Sequence, residues 1–298
     1  MTDYRMDQTL SLGPVALTVA DLARSLRYYT EVAGFRLLER RTQRAQLGVE
    51  GRVLVDLHEV AGAVAPPPSS PGLSHFAPLV PTRADVARFA QRHLDAGLDV
   101  DLRDHVVSQS CYVTDPDGHT IEVTWACPRE QWQWTDEGLP VAVATPLAVQ
   151  DLLDEPGASR PAHLPAGTQM GHVQLKATDD ALTRTKRFYR DLLGMEIFAR
   201  LGDGFVGLGV SDHLSLLVLT NRFSPQGGTP AGPDTARLTC VDLLLSGPGA
   251  IGALAERLTA AGHPHQYEVT SLTTHDPSGN PLRFSVLGAA GPASSRDA

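Results

Sequence analysis

The stretch VALTVADLARSLRYYTEVAGFRLLER (residues 15–40) returns later in the chain as VQLKATDDALTRTKRFYRDLLGMEIFAR (residues 173–200). Each copy reads as a strand, an acidic turn, an amphipathic helix, a glycine and another strand. The helix closes with a Tyr four to five residues before that glycine, which suits a helix end turning back to a sheet. A repeat of this length is the first feature to establish, because each unit has to bury its apolar face against another.

Working outward, SHFAPLVPTRADVARFAQRHLDAGLDV (74–100) is matched by CVDLLLSGPGAIGALAERLTAAGHPH (240–265), aligned on the Ala-Gly at each helix end. YVTDPDGHTIEVTW (112–125) and LTTHDPSGNPLRFSV (272–286) share a strand, an Asp-Pro-x-Gly turn and a second strand. Proline and glycine supply the fixed and the positive φ of such a turn. The chain therefore divides into four βαβββ modules of an α+β fold: module 1 (about 9–60), module 2 (72–128), module 3 (167–222) and module 4 (235–288). A short Pro/Ser stretch, VAPPPSSPG (64–72), separates the first two. The expected domains are 1–128 and 167–288, joined by a linker over 129–166 that contains Trp132 and Trp134. The tail 289–298 has the composition of a disordered segment. Asp21 reads as a helix cap, and His119, in its tight turn, as solvated.

Composition bounds the function. With 298 residues, 42% hydrophobic and 20% charged, the chain can bury two ordinary cores. A net charge of -9 and the lack of basic runs argue against nucleic acid as a partner. No run approaches the roughly 20 apolar residues of a membrane helix and no signal peptide is visible, so a cytoplasmic location is expected. Cys111, Cys127 and Cys240 have neither zinc-knuckle nor disulfide spacing and read as reduced thiols.

Paired units with these openings, helix ends and Asp-Pro-x-Gly hairpins resemble the vicinal oxygen chelate superfamily, which includes glyoxalases, bleomycin resistance proteins and type I extradiol dioxygenases. The resemblance spans nearly the whole chain. His105, Tyr112, the Asp115-Pro116 turn and Glu122 are similar to the signature of the extradiol enzymes. Cys111 and Arg103 depart from it, standing where an aliphatic or Phe residue and a small or β-branched residue are expected. GLSHFAPLVP (72–81), MGHVQLK (170–176) and PREQWQ (128–133) are similar to catechol 2,3-dioxygenases of the Bacillus catechol/hydroquinone type.

The resemblance implies that two modules wrap into an incomplete barrel, with metal ligands on first and last strands. Those positions carry Pro14, His75, His172 and about Cys240 on first strands, and Glu122 and Arg283 on last strands. Modules paired in chain order would give no proper ligand set on either side. Module 2 paired with module 3 would unite His75, Glu122 and His172, leaving Pro14, Cys240 and Arg283 as a site without metal. A strand histidine is ordinarily a core or surface residue; three ligand types on three homologous positions single these out. Two imidazoles and a carboxylate suit Fe(II), or alternatively Mn(II), with open positions for a small aromatic diol substrate and O2.

The resemblance also implies an acid–base histidine, His213 in SDHLSLLVL (211–219), which reads equally as an exposed strand-end residue beside Asp212. Tyr112 and His105 would hydrogen-bond the substrate oxygens, although Tyr112 could simply pack. The function expected is Fe(II)-dependent extradiol cleavage of a catechol or hydroquinone. A glyoxalase-like lyase or thiol transferase using Zn, Ni or Mn, and a metal-free bleomycin-resistance-like binder, stay open as alternatives. A homo-oligomer is compatible with the sequence.

Overall fold

In a computed structural model, residues 4–141, 143–155, 157, 163–211, 216–222 and 228–288 are described, apart from the side chains of 179 and 180. The expected tail, 289–298, lies outside them. Module 1 contains β1 (Ser11–Val19), α1 (Leu22–Arg27), β2 (Arg36–Arg40), β3 (Arg44–Val49) and β4 (Arg52–Glu59). Module 2 contains β5 (Gly72–Leu79), α2 (Arg83–Asp95), β6 (Asp101–Asp104), β7 (Ser108–Thr114) and β8 (Thr120–Ala126). The segment after it carries β9 (Thr145–Pro146) and α3 (Val149–Leu153). Module 3 contains β10 (Gln169–Lys176), α4 (Asp179–Arg187), β11 (Glu196–Arg200), β12 (Phe205–Gly209) and β13 (Leu217–Thr220). Module 4 contains β14 (Leu238–Leu245), α5 (Pro248–Ala260), β15 (His265–Glu268), β16 (Ser271–His275) and β17 (Pro281–Val286).

Local chemistry sets these elements. Val15, Leu17 and Val19 alternate along β1 and are buried, the period of a half-buried strand. Asp21 caps α1, accepting from the Arg24 backbone N–H at 2.8 Å, and Thr82 and Asp85 cap α2 reciprocally. Beyond α1 and α4 the chain widens into single π-helical turns, Tyr28–Val32 and Phe188–Leu192, which end at Gly34 (φ +79°) and Gly194 (φ +73°). Those positive φ values are strained for any side chain.

The strands form two sheets, β15-β16-β17-β14-β1-β4-β3-β2 and β11-β12-β13-β10-β5-β8-β7-β6-β9. Modules 4 and 1 build the first and modules 3 and 2 the second, through the antiparallel pairs β1–β14 and β5–β10. The halves 1–128 and 167–288 are thus stretches of chain, and each sheet draws one module from each. Segment 129–166 belongs to the body of the molecule, since β9 pairs with β6 and Leu152 of α3 is fully buried.

The repeated tyrosine joins the sheets. Tyr29 of module 1 donates to Asp115 of module 2 at 2.9 Å, and Tyr189 of module 3 to Asp276 of module 4 at 3.1 Å. Both acceptors open the Asp-Pro turns recognised in the sequence, so one pattern serves the turn and the joint. His119 was expected in solvent and is instead buried. Its Nε2 lies 2.9 Å from the Thr18 carbonyl, which can only accept, so the ring donates across the same joint.

Candidate metal centre

The strand order β10-β5-β8 sets three inward-facing positions side by side. His75 on β5 is in register with Gln174, and His172 on β10 with Ala77, while Phe76 pairs with Ile121 and so brings Glu122 beside Ala77. Odd positions of β5 and even positions of β10 face the same space because strand side chains alternate. His75 Nε2 lies 2.8 Å and His172 Nε2 3.0 Å from Glu122 Oε2, and the two ring nitrogens are 3.1 Å apart.

These donor atoms fit a shared cation. With bonds of about 2.1 Å, ligands at adjacent octahedral corners stand about 3.0 Å apart and tetrahedral ones about 3.4 Å. The observed edges match the former and leave the opposite face open. Glu122 is 2% exposed, and among the described residues its Oε2 has no hydrogen bond of acceptable geometry despite its neighbours. A buried carboxylate oxygen in that condition is costly unless a positive charge compensates it. Burial alone would raise the Glu122 pKa, but the facing His172 and His75 hold it well below the carboxylate range. Burial lowers the His75 pKa, only partly offset by Glu122. An ionised carboxylate and a neutral imidazole are the protonation states a divalent ion needs.

His105 and Tyr112 flank the cluster. His105 Nδ1 is 2.7 Å from the Val143 carbonyl, which must receive a proton from the ring. In the neutral imidazole Nε2 is then a bare acceptor, 3.0 Å from the Tyr112 hydroxyl and 3.7 Å from Glu122 Oε1. Burial and the Glu122 carboxylate push Tyr112 far above the ordinary phenol range, so the hydroxyl keeps its proton. His213 lies outside the described residues. Cys111 is fully buried and points away from chemistry, its thiol raised by burial. Arg103 pairs with Asp101 at 2.8 Å and lines the cavity.

That cavity measures about 940 Å³ and holds all three cluster residues in its wall. Phe198 and Phe205 from module 3 face it, as do Trp132 and Trp134 from the connecting segment. The two indoles lie 5.7 Å apart, with the Arg129 guanidinium over both. The sequence drew attention to the tryptophans only as linker residues; two large aromatics in a polar connection were the available signal. Val143 carried none, since a backbone acceptor has no residue type.

In the other sheet the register Val241–Leu282 corresponds to Phe76–Ile121, so Cys240, Asp242 and Arg283 stand where His75, Ala77 and Glu122 do. Arg283 donates to Asp242 at 2.7 Å and Arg44 Nε to Asp56 at 2.8 Å. Asp242 and Asp56 did not figure in the sequence reading of this side.

A model of the Glyoxalase/Bleomycin resistance protein/Dioxygenase superfamily matches residues 11–123. The chain is 33% identical over 282 residues to "Catechol-2,3-dioxygenase" of Bacillus subtilis (strain 168), covering 92% of this chain and 97% of the relative. Among solved structures, one from Bacillus subtilis subsp. subtilis str. 168 superposes with a TM-score of 0.65 at 13% identity, covering 96% of this chain and 87% of that one. Glyoxalase I from Zea mays gives 0.59 at 18% identity, covering 93% and 92%. These structural likenesses concern the fold.

Proposed function

Because the chain belongs to the Glyoxalase/Bleomycin resistance protein/Dioxygenase superfamily, we propose that it is an Fe(II)-dependent extradiol dioxygenase that opens the ring of a catechol or hydroquinone with O2. The observation that carries the reading is the cluster of buried His75 and Glu122 with half-buried His172 in the wall of a large aromatic-lined cavity, in a chain whose relative over almost its full length is named for this activity.

His75, Glu122 and His172 would hold the ion, with Mn(II) as the alternative. Bound there, Fe(II) would supply a Lewis acid with adjacent positions for a diol and O2. The residues of the chain handle the protons and the water. His105, fixed by the Val143 carbonyl, accepts the Tyr112 O–H on Nε2, and a charged substrate oxygen entering the cavity would take over that O–H and leave Nε2 as a base. We assign to His213 the transfer of the second hydroxyl proton. Trp132 and Trp134 line the cavity and offer aromatic surface to a bound ring.

Protein loaded anaerobically with Fe(II) and mixed with catechol and hydroquinone in air should consume O2 and form an absorbing ring-opened product. His105→Gln and His213→Gln should each lower kcat by about 10²-fold with the metal retained, and the acidic limb of the pH–rate profile should move in the variant that removes the working base. Full occupancy by Ni or Zn with no O2 uptake would replace this reading with a lyase or transferase.

A further inference from the structure

The cavity has a second end that the ring chemistry does not use. Lys176 lies four residues along β10 from His172 and on the same face, its backbone about 13 Å away at roughly 3.3 Å per residue. That separation leaves room for a ring and a substituent between them. Lys176, Ser74 and Thr120 line both the large cavity and a chamber of about 120 Å³ beside it, lying between the two sheets. Apolar groups such as Pro66, Pro71, Pro230 and Leu238 form most of its remaining walls, with His119 also lining it.

The charged side chains of this chamber are Lys176 and Arg237, and no carboxylate lines it among the described residues. Among the described residues Arg237 Nε is buried without a hydrogen-bond partner, and Nη1 reaches the Leu238 carbonyl at 3.5 Å. The Lys176 ammonium has no ion pair among the described residues, and burial lowers its pKa. Ser74 accepts from Gln174 at 3.1 Å, so its own O–H stays available to another acceptor. In a chain of net charge -9, two other partly buried arginines have carboxylates: Arg44 with Asp56 and Arg283 with Asp242. Leaving two cations without a carboxylate and a hydroxyl without an acceptor is costly unless a ligand supplies an anion.

We propose that the chamber is an anion subsite for a carboxylate carried by the ring substrate, which is therefore an aromatic diol with an acidic substituent. The inference rests on the ring-cleavage reading for the diol end and on Lys176, Arg237 and Ser74 for the other. The 940 Å³ cavity, near the upper end of small-molecule sites, accommodates such a molecule with space that a bare diol would leave unfilled.

The test is anaerobic titration of Fe(II)-loaded protein, read by quenching of Trp132 and Trp134, with catechol, 3,4-dihydroxybenzoate, 3,4-dihydroxyphenylacetate, benzoate and acetate. At least one of the two acidic diols should bind about tenfold or more tightly than catechol. That ratio should fall toward one in Lys176→Met and Arg237→Gln and return in Lys176→Arg. Equal affinity for catechol and both acids, or a ratio unchanged in both variants, overturns the proposal. Displacement of the acids by acetate at equal concentration also overturns it, by assigning the chamber to a free anion. Benzoate separates the two readings because it has no diol. Lys176-dependent benzoate binding without O2 uptake on any diol would keep the subsite and discard ring cleavage, and O2 uptake with no preference for acids would do the reverse.

Discussion

At the matching position of their last strands the two sheets carry opposite charge, and the positions around it differ in kind. Glu122 on β8 stands where β17 has Arg283, His75 where β14 has Cys240, and His172 where β1 has Pro14. Val218 of β13, in register with Gln174, corresponds to Asp56 of β4, in register with Ala16. One interior collects two imidazoles and a carboxylate that could hold a metal ion. The other closes on itself, because Asp242 and Asp56 each receive an arginine and Ser285 also donates to Asp242 at 2.7 Å. Turns, caps and alternating apolar residues suffice to fold either sheet, so the inward polar positions are free to hold a reactive site or a self-neutralised one.

Breaking the comparison on the donor side should have the largest effect. Glu122→Ala or His172→Ala should take bound metal from about one ion per chain to almost none, removing several kcal/mol of transition-state stabilisation and about 10³-fold or more in kcat/KM. Fe(II) should raise the Tm of the parent protein and not of these variants. Elemental analysis and thermal melts check both, and Arg283→Ala with unchanged metal content would mark the contrast between the sheets.

On the self-neutralised side, Asp242→Ala leaves the partly buried Arg283 without its carboxylate and should cost about 3–5 kcal/mol in urea unfolding. The double change Asp242→Leu with Arg283→Met should recover most of that, with metal content equal to the parent in both. Loss of metal in Asp242→Ala would mean that the two interiors are not independent.

The smallest effect concerns what the sheets share. Met6 N–H donates to Gly194 of module 3 at 3.0 Å, and the next residue, Asp7, accepts from Ser246 N–H of module 4 at 2.8 Å. Although partial burial opposes it, hydrogen bonds from Ser246 and Thr9 lower the Asp7 pKa to about 2. A carboxyl held below its unfolded value contributes stability above about pH 4 that disappears as pH falls toward 2. Asp7→Asn should therefore be less stable than the parent at pH 6, by about 1 kcal/mol or less after solvent screening, and equal to it near pH 2. Parallel urea melts at the two pH values measure the difference.

The repeat, the Asp-Pro turns, the helix ends and the residues His75, Glu122 and His172 are all legible along the chain, because they depend on local backbone preferences and on residue types recurring at equivalent places. The pairing of modules 2 and 3 could be argued from where the ligand types fall. His119 could not, since a turn histidine shows no sign of the Thr18 carbonyl that buries it, and neither could the pairing of Arg283 with Asp242, which depends on cross-strand register. Four modules, and the positions that bear metal-type donors, are readable from residue order. The hydrogen bond that His105 donates to the Val143 carbonyl, the two tryptophans in the cavity wall and the chamber that joins Lys176 to Arg237 came only with the tertiary structure. Periodicity states which way a side chain faces, whereas the atoms opposite it come from distant strands whose approach is set by packing of the whole chain.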